Sequence, residues 1–155
     1  MKRIYRAAIL LSCLCIFLLT ACSNSGPKVV VSLDKITAAA GETVEIPVKI
    51  SENSNVAAAD IIVKFDSSLD YVSYSGGDDF TPDASIGNLM EEGSFKYTLA
   101  TLSPFTEEGT VFTLKLQIAQ DAAGEIPLTL EVPTLVDSEG TKISVDTVNG
   151  SIQVQ

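Results

Sequence analysis

Thr43-Val44-Glu45-Ile46-Pro47-Val48-Lys49-Ile50 places an apolar residue at every second position, with Thr43, Glu45, Pro47 and Lys49 between them. A period of two belongs to a strand with one buried and one wet face. The same alternation returns in Phe112, Leu114, Leu116 and Ile118, and again in Ile126, Leu128, Leu130 and Val132. Shorter runs at Val29–Leu33, Ala59–Phe65, Phe95–Leu99, Ile143–Val148 and Ser151–Val154 complete the set, and clusters such as Ala40-Gly41-Glu42, Glu91-Glu92-Gly93 and Asn149-Gly150 punctuate it. Eight or nine short strands without a helical stretch predict an all-β fold, an antiparallel β-sandwich of two facing sheets. Pro47 and Pro127 cannot donate to a ladder, so each is expected at an edge, a strand start or a bulge. The longest connection, Tyr74 to about Leu89, is rich in Gly and Asp and is expected to wrap outside the sheets.

The chain has 155 residues, 46% of them hydrophobic and 19% charged, which suits one folded domain with a real core. It contains no histidine. That removes Ser-His and Cys-His nucleophile pairs, the commonest general base, and any zinc site with an imidazole ligand. Without Lys2, Arg3 and Arg6, a chain starting at Cys22 keeps seven of its 10 basic residues against all 20 acidic ones, a net of −13. Phosphate binding needs the opposite sign, so nucleic acid is not an expected partner.

Residues 1–21 carry a basic start, an apolar run from Ala7 to Leu19 and small residues at the exit. The run is shorter than the ~20 residues that span a bilayer, and the pattern fits a cleaved export signal. Leu19-Thr20-Ala21-Cys22 resembles the bacterial lipobox, in which the cysteine thiol is acylated and becomes the first residue of the mature chain. Cys22 is therefore the expected lipidation site, and the protein is expected to be held on the outer face of a membrane at the cell envelope. The plainer alternative is an ordinary cleavage site and a released protein. Residues 22–28 form a short linker, reaching about 20 Å when extended, and residues 29–155 form the domain. All three cysteines lie at or before Cys22, so the domain has no disulfide.

The order and content of the strands resemble the cohesin family across nearly all of Val29–Gln155. Gly41-Glu42-Thr43-Val44-Glu45-Ile46-Pro47-Val48 is similar to the family's second strand. Asp60-Ile61-Ile62-Val63-Lys64-Phe65-Asp66 with Leu69 resembles its third, although Ser67 replaces the usual proline. Gly109-Thr110-Val111-Phe112 resembles a late strand that opens on glycine, and Asn149-Gly150-Ser151-Ile152 the terminal one. The resemblance implies a nine-stranded jelly-roll sandwich, without catalytic activity, that binds a dockerin. That partner is a small calcium-loaded helical module carried by another secreted protein, often a polysaccharide-degrading one. Calcium belongs to the dockerin. The chain itself shows no EF-hand spacing, and the cluster Asp78, Asp79 and Asp83 reads as a solvated loop, so no metal or cofactor is expected here.

Side-chain parity sorts the third strand. If Ala59, Ile61, Val63 and Phe65 face the core, then Ala58, Asp60, Ile62 and Lys64 face outward. An outward Ile among alanines, beside a carboxylate able to accept directional hydrogen bonds, suits a docking face. The resemblance carries the family's dockerin-contacting Asp onto Asp60 and a contact Glu onto Glu131. Its contact Tyr falls near Leu89, where no Tyr stands. A basic helical ligand, steered by the negative field, is expected. The alternative function is a carbohydrate-binding module, which needs exposed rings. Tyr71, Tyr74, Phe80 and Phe105 are the candidates for such rings, while Phe65, Phe95, Tyr97 and Phe112 are expected in the core. No pair of carboxylates singles itself out as a glycosidase site.

Overall fold

Eleven strands form among residues 28–52, 55–91 and 93–155, the part of the chain described by the structure, a computed structural model. They are β1 (Val29–Leu33), β2 (Lys35–Ala38), β3 (Thr43–Ile50), β4 (Val56–Lys64), β5 (Leu69–Gly76), β6 (Ala84–Glu91), β7 (Ser94–Phe105), β8 (Gly109–Ile118), β9 (Gly124–Asp137), β10 (Val145–Val148) and β11 (Gly150–Val154). One sheet has the order β10-β1-β3-β8-β5, the other β2-β11-β9-β4-β7-β6. The all-β sandwich read from the sequence is thus present, with eleven strands in place of nine. It is not wholly antiparallel, since β1 runs parallel to β10 and β2 parallel to β11.

The alternating residues fill the space between the sheets. Val44, Ile46, Val48 and Ile50 of β3 are buried, as are Phe112, Leu114, Leu116 and Ile118 of β8 and Ala59, Ile61 and Val63 of β4. One extra residue in β8 shifts its register against β3 between Val48 and Lys49, and Val111 is buried beside Phe112. Both prolines lie where a neighbour has run out: the β1–β3 ladder ends at Val48, next to Pro47, and the β4–β9 ladder at Thr129, two residues after Pro127. Ser67 does not prevent a tight turn after β4, because the Asp66 carboxylate accepts the Ser68 N–H at 2.7 Å.

The segment from Tyr74 to Leu89 does not wrap outside the sheets. β5 continues to Gly76, and Ala84–Glu91 is an edge strand paired with β7, leaving only a short connection between them. Aromatic packing drives this. Phe95 lies against Tyr71 (centroids 5.4 Å apart) and Tyr74 (5.2 Å), while Tyr97 stacks on Phe112 at 4.5 Å. Gly87 lets β6 close over these rings, since a Cβ there would stand 2.5 Å from Phe95 Cζ and 2.7 Å from the Tyr74 ring. The Tyr74 hydroxyl accepts the Gly87 N–H at 3.0 Å and clasps the two sheet edges together. The β6–β7 hairpin turns at Gly93, whose φ of 81° suits glycine.

Phe80 and Phe105, expected as exposed rings, are buried (7% and 8% exposed) with centroids 4.6 Å apart. Each lies in or next to a connection, yet together they close one end of the core. Tyr71 is half-buried on Phe95, which leaves Tyr74 as the exposed ring of the four.

Candidate functional site

The outer face of the six-stranded sheet brings side chains of four neighbouring strands together as a plate. Register fixes its rows, because paired residues on neighbouring strands point to the same side. The first row is Ala84 (β6), Ala100 (β7), Ala58 (β4) and Val136 (β9). The second is Ile86, Thr98, Asp60 and Thr134, and the third Asn88, Lys96, Ile62 and Glu131. Lys64 follows, between Ser94 and Thr129. The third row is reached through a one-residue bulge in β9 between the partners of Asp60 and Ile62, at the Val132-Pro133 step.

Five of the six sequence-derived candidates, Ala58, Asp60, Ile62, Lys64 and Glu131, therefore share one face. Leu89 does not join them. Its partner across the ladder is Phe95, a core residue, so it belongs to the opposite side of β6 and is exposed (49%) only because the strand is at the sheet edge. Cys22 lies outside the described residues.

Both carboxylates of the face already hold cations. Asp60 Oδ1 accepts the Thr98 hydroxyl at 2.6 Å and lies 3.1 Å from Lys96 Nζ. The Thr98 hydrogen bond, aided by Lys96 and Thr134, outweighs partial burial and holds the Asp60 carboxyl below the usual carboxylate range. Glu131 Oε1 lies 2.6 Å from Lys64 Nζ, with both side chains about half exposed. The plate thus combines an apolar corner of Ala58, Ala84, Ala100 and Ile86 with a charge-balanced half built from two ion pairs. Ile86 is 55% exposed, and a shallow depression of about 190 Å³ lies between Ala84, Ile86, Thr98 and Ala100. Larger open grooves lie elsewhere, such as one of about 500 Å³ lined by Val30, Ser32, Lys49 and Thr110. They are features of the other sheet and its loops.

Lys96, Thr98 and Ala100 were within reach of sequence parity, since Phe95, Tyr97 and Leu99 alternate inward. Ala84 and Ile86 were not, because the strand carrying them turns Ser85 and Gly87 toward the interior and shows no apolar inner stripe. Among the described residues no group of three or more His, Cys, Asp or Glu side chains could hold a metal ion, and no helix is long and apolar enough to cross a membrane.

Two facing sheets in this order define a jelly-roll β-sandwich. The chain belongs to the cohesin family: the family's profile, described as Cohesin domain, matches residues 29–154. It is 32% identical over 138 residues to cellulose-binding protein A of Clostridium cellulovorans, covering 80% of this chain and 7% of that much longer protein. Among solved structures it resembles a cohesin from Clostridium acetobutylicum (TM-score 0.74, 24% identity, 83% of this chain and 91% of that one). It is also similar to a non-cellulosomal cohesin from the archaeon Archaeoglobus fulgidus (0.73, 21%, 83% and 92%). A chain of a type I cohesin–dockerin complex from Clostridium thermocellum superposes at 0.76 with 15% identity, over 83% of this chain and all of that one.

Proposed function

We propose that the plate formed by β6, β7, β4 and β9 is the landing surface for a calcium-loaded dockerin module, and that the chain is a non-catalytic receptor. The observation that carries this is the plate itself: one sheet face on which an exposed isoleucine and three alanines adjoin two pre-formed ion pairs, on a domain of the cohesin family. Protein interfaces combine apolar contact area with directional polar groups, and this face offers both side by side. Cohesin–dockerin complexes among the similar structures support the reading. The dockerin is carried by another secreted protein, of a polysaccharide-degrading kind in keeping with the cellulose-binding relative. Acylation of Cys22 holds the receptor on the outer side of a membrane, and two acyl chains suffice for stable attachment.

The eleven strands and the core of the described residues lie within residues 28–155, so a chain without its first 22 residues is used for binding. Calorimetric titration of it with the calcium-loaded dockerin modules encoded in the same genome should give, with at least one of them, a one-to-one complex that is lost on chelation. No complex with any of them would overturn the reading. Mass spectrometry of the membrane fraction should find an acylated Cys22 at the N-terminus; an unmodified one would overturn the anchor alone.

A further inference from the structure

Leu102 is 91% exposed, far more than any other large apolar side chain of the described residues. A lone exposed leucine needs no explanation by itself. The backbone that presents it does. Ala100 pairs with Ala58 and Phe105 with Val56, so β7 carries three more residues than β4 over this stretch, and they bulge out at the rim of the plate beside the alanine row. Extra strand residues of this kind have no ladder to hold them, yet these are held. Asp83 Oδ2 accepts the Leu102 N–H at 2.6 Å and the Thr101 hydroxyl at 2.9 Å, and Thr101 Oγ1 accepts the Ser103 N–H at 3.1 Å. Beyond the bulge, Phe105 is locked against Phe80.

We propose that Leu102, presented by the Asp83 clamp, is an apolar anchor by which the plate selects its dockerin: one whose helix sets an aliphatic or aromatic side chain, not a basic one, over the shelf of Ala84 and Ala100. This deepens the docking function proposed above and rests on it. The side chains around the depression favour an apolar ligand group. Asp60 and Glu131 are already paired with Lys96 and Lys64, and one oxygen of the charged Asp83 carboxylate is taken by its two neutral donors, which hold it below the usual carboxylate range. The small side chains of Ala84 and Ala100 leave the depression of about 190 Å³, which is continuous with the alanine row and bordered by Ile86. A side chain entering the depression between Ala84, Ile86 and Ala100 loses apolar surface to water on several sides, and Leu102 follows two residues after Ala100 on the same strand. A knob fixed beforehand by hydrogen bonds loses little conformational freedom on binding. Asp83 is then a positioning residue that acts through Leu102.

The test uses the chain without its first 22 residues and the dockerin modules of the titration above. Leu102→Ser should weaken the complex by about tenfold or more with an unchanged melting temperature, and Leu102→Met should stay within about threefold of the parent. Asp83→Ala should weaken binding in the parent but cost nothing further in the Leu102→Ser background, the signature of two residues acting as one unit. Full affinity of Leu102→Ser, while Ile62→Arg abolishes binding, would overturn the anchor and leave the docking face standing. An Asp83→Ala effect that persists undiminished in Leu102→Ser would overturn the clamp, since Asp83 would then be touching the partner itself. If no dockerin binds the parent, the docking reading fails and the anchor fails with it.

Discussion

Lys96 reaches from β7 to place its ammonium 3.1 Å from Asp60 Oδ1, the same oxygen that accepts the Thr98 hydroxyl at 2.6 Å. One carboxylate is thereby held on the outer face of the sheet by two side chains of the neighbouring strand. Thr134, its partner on the other flanking strand, adds a further side-chain hydrogen bond to the same carboxylate. A group held in this way is ready to bind without first being ordered.

The acidity of Asp60 follows. Its folded pKa lies below the unfolded value of about 3.9, so ionised Asp60 contributes stability above that pH and loses it as the pH falls through the lowered folded value. The melting-temperature gap between the parent and Asp60→Asn should be constant from pH 7 to about 5 and shrink below about 4. A gap unchanged at pH 2.5 would show that the carboxylate gains nothing from Thr98 and Lys96.

Ile86→Glu separates binding from folding. The side chain is 55% exposed, and surface substitutions of this kind change stability by about 0.5 kcal/mol or less. Dockerin affinity should fall at least about tenfold, roughly 1.4 kcal/mol. Titration and thermal melts of the same sample check both halves of the statement.

Tyr97 offers an internal test of the core. Its ring is 1% exposed and its hydroxyl is buried without a hydrogen-bond partner. An unsatisfied buried hydroxyl costs about 1–3 kcal/mol, so Tyr97→Phe should stabilise the domain by about 1 kcal/mol in urea unfolding. A loss of that size instead would mean that the hydroxyl has found a partner.

Gly87→Ala probes the closure of β6 over the rings. The added methyl meets Phe95 and Tyr74 at 2.5 and 2.7 Å, and overpacking of this kind costs about 1–3 kcal/mol. Because β6 carries Ala84 and Ile86, the same change should also weaken dockerin binding, whereas unaltered urea stability would mean that β6 does not pack on these rings.

The strands that face the core on one side only were legible from their period, and β3, β4, β8 and β9 lie where the alternation of Val, Ile and Leu puts them. β6 was hidden because its inward positions are Ser85 and Gly87, kept small by the rings of Phe95 and Tyr74 that fill the space. Phe80 and Phe105 were misread for a related reason: burial of a side chain at a strand end depends on what closes the end of the sandwich, which no local period reports. On the plate, parity placed Asp60 and Ile62 outward. Their lysine partners depended on cross-strand register, and for Glu131 on a bulge at Val132-Pro133, which only the assembled sheet supplies.

The most direct test of the docking plate is a map of amide chemical shifts in the isotope-labelled chain, without its first 22 residues, as a calcium-loaded dockerin is added. Shifts should concentrate at Ala58, Asp60, Ile62, Ile86, Thr98 and Glu131, on the outer side of the six-stranded sheet. Shifts confined to the outer side of the other sheet, at Glu45, Lys49 and Lys115, would contradict it.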